Sequence, residues 1–420
     1  MAAPTSQRPQ KAGHASTGLG GRDFLLLLAA TLGTFANYAP LLSVVPLWSA
    51  EGGAGNGGAG AATGVTMGTT AAVQLCMPWL LRRFRLRAIL GAGALLLGAP
   101  TFAYLLSSSL GWVLAVSAVR GVGFGMVAVA GSALVAELVA VSHRGRAVGW
   151  YGIAVGLPQV VFLPLGVWAA GEFGFASVFT VAGAASLLAF PLVAAMTGRR
   201  GERVGRERGS PGGTSGAATG TSRLRPLAGP FTALIAAACA LGGITTFLPL
   251  TFDDAATAPA ALFAVSATAM AGRWAAGMWS DRSGAGRLLV PGTAACALGM
   301  GGFAVAAGLG PGGFAVALAA AIVYGLGFGV LQNDTLVVMF RRAGAPGAGA
   351  ASTAWNLAYD AGTGIGAVAV GWTALVLDMN GAFAAAAVLI AALAPVALSD
   401  ARREAAVRGE PAPGTGRGRS

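Results

Sequence analysis

Apolar stretches long enough to cross a lipid bilayer follow one another along almost the whole chain, and no other feature constrains the fold as strongly. The first runs from Phe24 to Trp48. A membrane span needs about 20 apolar residues, whereas the removable core of a signal peptide is about 7–15. This run is therefore read as a retained helix. Breaks at charged, Gly-rich or turn-like positions divide the chain into twelve candidate helices. They lie near 23–48, 61–81, 88–107, 110–139, 147–170, 174–196, 228–250, 259–279, 288–308, 313–338, 350–374 and 380–398. A chain in lipid must satisfy its own backbone hydrogen bonds, so such spans are helical. Composition agrees, with 10% charged residues and a mean hydropathy of +0.71; a soluble protein keeps roughly a quarter of its residues charged. The expectation is an all-α membrane protein.

The basic residues test this division. With twelve spans and the N-terminus inside, the even connections (82–87, 140–146, 197–227, 280–287 and 339–349) and both tails are cytoplasmic. All of the 27 Lys and Arg residues fall there except Arg120 and Arg273, which lie within spans. The opposite connections carry only acids: Glu51, Glu172, Asp253, Asp254 and Asp378. Positive residues are retained on the cytoplasmic side, so a multi-pass protein with both termini cytoplasmic is expected. One lysine against 26 arginines, with many Ala and Gly, suggests a GC-rich bacterial genome; the membrane would then be the inner membrane. Three isolated cysteines and two histidines in charged segments offer no metal or redox spacing.

Residues 198–225 are rich in Gly, Ser, Thr and Arg, the composition of a solvated linker that could also touch anionic headgroups. The expected organisation is a tail at 1–22, a six-helix bundle at 23–196, a basic linker at 197–227, a second six-helix bundle at 228–399 and a tail at 400–420. The halves repeat. S-V-V-P-L at 43–47 matches T-F-L-P-L at 246–250; R-G-V-G-F-G at 120–125 matches Y-G-L-G-F-G at 324–329; P-W-L-L-R-R at 78–83 matches G-M-W-S-D-R at 277–282. The offsets are 203, 204 and 199 residues. A six-plus-six duplication is a transporter architecture, with the substrate site between the repeats near the bilayer midplane.

These residues resemble the major facilitator superfamily (MFS) of secondary transporters over all twelve helices. Gly277, Asp281, Arg282, Gly284 and Arg287 match the family signature between helices 8 and 9. Its counterpart between helices 2 and 3 has decayed to Pro78, Arg82, Arg83 and Arg85. Helix 4 is similar to the family's Arg-and-glycine motif at Arg120, Gly121, Gly123 and Gly125. Helix 5 carries part of the antiporter motif (Gly152, Gly156, Pro158, Pro164, Gly166) without an intact Gly-Pro pair. Trp355, Asn356, Asp360 and Gly362 resemble bacterial sugar-efflux permeases. The resemblance implies two pseudo-symmetric bundles that rock about a central site.

The glycine runs at 121–125 and 325–329 lie inside spans, where small residues let helices approach; a phosphate-binding loop would need a soluble strand-loop-helix context. Arg120 sits about 13 Å from the outer end of its helix. There a guanidinium must face water, an acid or carbonyls. It would either bind anionic substrate and tune a neighbouring acid, or serve as a structural tie across helices. Asp360, about 15 Å deep, is a candidate proton carrier or a neutral packing residue; Asn356 and Thr363 lie one turn either side of it. Asp334 belongs with Arg120 and Asp360 among the proton-coupling candidates. Asp334 and Glu137 each precede an arginine by seven residues, a depth suited to gate ion pairs or to a solvated rim. The expected partners are Arg82, Arg83 or Arg85 for Glu137, and Arg282 or Arg342 for Asp334. Candidate cavity residues are Asn37, Tyr38, Gln159, Thr245, Thr246, Tyr324, Gln332 and Asn356. Gly277, Asp281, Arg282, Gly284 and Arg287, with Glu137, Arg82 and Arg83, form a candidate conformational latch; Asp281 would cap or pair with a neighbouring helix N-terminus, that of helix 5. Arg273 is assigned to the helix interface.

The function expected is transport of a small molecule by alternating access, proton-coupled and outward, by a monomer that needs no cofactor and no nucleic acid. Uptake or facilitated diffusion are the alternatives within transport. A membrane enzyme would need a nucleophile–base pair or metal ligands at membrane depth, and no span contains a histidine. A sensor on a transporter fold is the remaining alternative class.

Overall fold

The computed structural model describes residues 19–140, 143–197, 225–252 and 254–407, without the side chains of Arg225, Asp281, Ser283, Pro311, Ala345 and Pro346. Most of the linker and both distal tails expected above lie outside the described residues. The first six helices are α1 (Arg22–Glu51), α2 (Gly55–Arg83), α3 (Leu86–Gly98), α4 (Leu110–Leu138), α5 (Arg144–Phe173) and α6 (Phe175–Ala194). A 3₁₀ turn of Ala99–Leu106, with Pro100 in its first turn, completes the third span. After the linker come α7 (Ala228–Thr251), α8 (Thr257–Ser283) and α9 (Leu289–Leu309). The helical run Phe314–Ala392 is broken by non-helical backbone at Gly344 and Asp378. It divides into α10 (314–343), α11 (345–377) and α12 (379–392), and α13 (Ala394–Val407) follows. Apart from short turns the described residues are helical, with no strand among them.

Among the described residues, nine segments are long and apolar enough to span a membrane, the last of them running Gly347–Val407. Helices α2 and α8 fall short of that apolarity. They are built on Gly, Ala and Thr and pack largely against other helices, α2 against α4 and α11, α8 against α10 and α5. Lipid does not have to be matched along a face that meets protein.

The sequence repeat is also a repeat of contacts. Gly121 on α4 touches the Thr66 carbonyl and the Thr69 hydroxyl of α2 so closely that a Cβ would collide with both; Gly325 on α10 meets Val265 and Thr268 of α8 in the same way. Gly123 abuts Gly93 and Leu97 of α3, and Gly327 abuts Gly292 and Cys296 of α9. The glycines are 204 apart and their partners 199 apart, as in the sequence. These runs are helix-packing surfaces, as the context of small residues in spans predicts.

At the C-terminus, residues 400–407 of the expected tail are helical. Asp400 and Glu404 stand one turn apart on α13 and are buried. Arg342 donates to Asp400 (2.8 Å), to Glu404 (2.9 Å) and to the Pro226 carbonyl (2.8 Å), and Arg341 pairs with Glu404 at 3.3 Å. Buried carboxylates need such partners, and those partners come from distant parts of the chain.

Candidate functional site

The arginine-rich connections lie at one end of the bundle, the basic end, and the acidic connections at the other, the acidic end. Three hydrogen bonds join the two halves among the described residues. Ser43 of α1 donates to the Thr245 carbonyl of α7, and the hydroxyls of Thr63 (α2) and Thr246 (α7) meet at 2.9 Å. Both lie within about three turns of the acidic end. The third is at mid-depth: Gln74 of α2 donates through Nε2 to the Asp360 carboxyl of α11 at 2.5 Å. Between these points α2 and α11 pack on glycines. Gly60 lies against the Ala367 carbonyl, Gly64 against Val368, and Gly364 against Met67. A side chain at any of them would push the halves apart.

Asp360 and Gln74 are 6% and 4% exposed. The Oε1 of Gln74 is buried without a hydrogen bond among the described residues. An amide presents both a donor and an acceptor, so this side chain can serve either form of the carboxyl. Gln74 was not singled out from the sequence. The only signal would have been its register, since it stands 199 residues before Arg273, the offset relating α2 to α8.

Arg120, 3% exposed, is held inside the first half. Its Nε donates to Thr101 (3.1 Å), one terminal nitrogen to Tyr104 (3.4 Å) and the other to the Oδ1 of Asn37 (3.0 Å). Asn37 also donates to Thr101, and Tyr104 bonds Ser117 at 2.8 Å. No acid faces Arg120 among the described residues, so its charge is shared among neutral oxygens. These bonds tie α1 and α4 to the 3₁₀ turn of the third span. Tyr38 stacks on Phe124 at 3.6 Å and bonds the sulfur of Met67. With Arg120, Thr63 and Thr66 it lines a remnant cavity of only about 10 Å³.

The remaining candidates separate. Tyr324 is fully buried and donates to the Ala237 carbonyl at 2.7 Å, so it ties α10 to α7 rather than lining a cavity. Asn356 bonds back to the Ser352 carbonyl of its own helix, and Thr363 to that of Tyr359. Gln159 is half-buried on α5. Gln332 accepts from Arg273 at 3.4 Å, and the Arg273 guanidinium lies 5.7 Å from the centre of the Trp355 ring.

The gate ion pairs are corrected. Asp334 bonds the backbone amides of Gly286 (2.7 Å) and Leu288 (3.0 Å), at the entry to α9. A carboxylate is more favourable at the positive end of a helix, with two buried amides to satisfy, than at a solvated arginine. Gly286 has φ +88°, and a Cβ there would strike Glu404, so the loop needs glycine. Glu137 is exposed and makes no ion pair among the described residues; Arg144 is engaged by the carbonyls of Ala136 and Val139. An exposed ion pair is worth about 0–1 kcal/mol, too little to fix it against water. Arg82, Arg83, Arg85 and Arg282 are exposed, as is Arg287, which makes a contact of its own. Gly277 faces Asn333 on α10, and Gly284 ends α8 with φ +85°. The side chain of Asp281, the centre of the expected latch, lies outside the described residues.

Among curated proteins none matches the chain in sequence. Its backbone is similar to the peptide transporter POT in complex with sulfate, at TM-score 0.75 and 15% identity over 92% of this chain and 96% of that one. It is also similar to a mutant of the nucleoside transporter NupG (0.70, 13%, 90% and 99%). A third neighbour is a bacterial homolog of the human lysosomal transporter Spinster, in an inward-facing and occupied conformation (0.73, 14%, 90% and 96%). The sequence profile described as Major Facilitator Superfamily matches residues 26–367. Paired six-helix repeats, a polar contact where they meet at mid-depth and a profile spanning most of the length agree: the chain belongs to the Major Facilitator Superfamily and is a secondary transporter of small molecules, not an enzyme.

Proposed function

We propose that this transporter couples export of its substrate to protons, across the inner membrane of a bacterium, by rocking its halves about the mid-depth contact. The observation that carries the proposal is the Gln74–Asp360 bond. It places an ionisable group at the seam that must part when the halves move. Ionised, Asp360 accepts from the Gln74 amide nitrogen; protonated, it can donate to the oxygen now unpartnered. The seam therefore tolerates a proton on Asp360 as well as its absence, as a group that loads and unloads protons requires. Arginine retention assigns the basic end to the cytoplasm, so the bonds at Ser43 and Thr63 close the external side.

Reconstituted protein tests this reading. Asp360→Asn keeps a hydrogen-bonding side chain but cannot carry a proton. The variant should lose accumulation driven by a pH gradient while retaining exchange of labelled substrate. Undiminished gradient-driven accumulation would remove Asp360 from coupling.

A further inference from the structure

Arg273 stands out once Arg120 has been accounted for. It lies ten residues before the end of α8 at Ser283, about 15 Å inside the basic end. A guanidinium at such depth is costly unless it meets water, an acid or carbonyl oxygens. Arg120 meets that demand with three neutral oxygens and is buried. Arg273 does not. It is exposed, its one hydrogen bond reaches the Gln332 side chain at a long 3.4 Å, and it has no carboxylate partner among the described residues.

Gln332 on α10 and Trp355 on α11 are both buried, and they fix the guanidinium on the inner side of α8. Trp274, the next residue, is 69% exposed and takes the outward direction. The Trp355 indole is itself anchored by its Nε1, which donates to the Gln332 carbonyl (3.2 Å) and to Thr335 (3.3 Å). Behind it Tyr359 stacks at 5.9 Å, continued by Phe328 and Tyr324. The site is thus a cation set beside a braced aromatic wall, with one long hydrogen bond and the rest of its five N–H donors unmatched among the described residues.

We propose that Arg273, backed by Trp355 and positioned by Gln332, receives the acidic group of a small organic anion, with the aromatic wall taking its apolar part. This deepens the transport reading above by naming the substrate class. A planar carboxylate fits the free edge of a guanidinium through two parallel hydrogen bonds.

Occupancy can be read without transport. Purified full-length protein in phosphatidylcholine nanodiscs is treated with phenylglyoxal, and modification of Arg273 is measured by peptide mass spectrometry. Benzoate and benzamide serve as the charged and neutral probes. Arg273 should be labelled in the absence of probe, with benzoate protecting at about tenfold lower concentration than benzamide, the ratio of one charge-assisted contact. Arg120, closed in by its partners, should resist the reagent. In Arg273→Gln the thermal shift produced by benzoate should fall to that produced by benzamide.

An unlabelled Arg273, or equal protection by the two probes, overturns the proposal. Protection that requires phosphatidylglycerol and is not increased by benzoate makes a lipid headgroup the ligand and overturns the substrate class. The labelling does not depend on proton coupling, so this test and the Asp360→Asn test fail independently.

Discussion

At the scale of single residues, the two intramembrane arginines have opposite surroundings. Arg120 spends its donors on Asn37, Thr101 and Tyr104. Arg120→Met would leave the Asn37 oxygen without a donor and take one partner each from Thr101 and Tyr104 in a dry site, at about 1–3 kcal/mol for each group that finds no new partner. The expected result is a large fall in the unfolding temperature of the purified protein. Gln74→Leu makes a different claim, because it leaves the Asp360 carboxyl buried without its amide. That variant should be destabilised by about 1–3 kcal/mol. Adding Asp360→Leu should recover part of the loss, since an apolar pair orphans nothing. A double-mutant cycle on thermal melts checks both, and strict additivity would mean that the two side chains do not depend on one another.

At the scale of helices, acids placed at N-terminal ends set where α8 and α9 begin. Asp334 closes the entry to α9 from a neighbouring helix, and Asp334→Ala should cost about 1–2 kcal/mol through lost amide bonds and lost dipole stabilisation. Asp254 does the same for α8, accepting from the amides of Ala256 and Thr257. The Thr257 hydroxyl, followed by these amides, holds the Asp254 carboxyl below its ordinary value. A depressed carboxyl stabilises the fold above its unfolded value, about 3.9, and that contribution disappears as pH falls through the folded value. Exchange at the Ala256 and Thr257 amides, corrected for intrinsic rates, should therefore quicken only in the acid range. Asp254→Asn should flatten that dependence.

At the scale of the molecule, the halves are joined from mid-depth to the acidic end. Among the described residues, the ion pairs at the basic end stay within one half: Arg87 with Asp23 in the first, Arg341 and Arg342 with Asp400 and Glu404 in the second. Each half thus keeps its own basic rim rigid, and none of these bonds has to break when the halves part. The Thr63 and Thr246 hydroxyls touch across the seam at 2.9 Å. Thr63→Cys with Thr246→Cys should therefore form a disulfide on oxidation. The crosslink should arrest transport, and reduction should restore it. Transport unaffected by complete crosslinking would mean that the halves need not separate at the acidic end.

Hydropathy and arginine placement led to the all-helical fold and the twelve spans, and three matched motifs at nearly one offset led to the six-plus-six repeat. Those signals come from the solvent each residue must face and from helical period, and both are local. The glycine runs were legible for the same reason, because a glycine within a span has few uses besides close packing. Asp360 could be singled out because a carboxyl at mid-membrane depth is costly wherever the chain folds. Its partner could not, since Gln74 lies 286 residues away and one polar residue on a Gly-rich helix looks like any other. The role of each arginine also depended on tertiary structure. Two guanidiniums of similar depth differ only in how many oxygens the neighbouring helices bring to them. The same holds at the basic rim, where the sequence pointed to ion pairs for Asp334 and Glu137. Packing turned one into a helix cap and left the other in solvent, because the balance between an amide pair and a hydrated arginine is set by what is buried beside it.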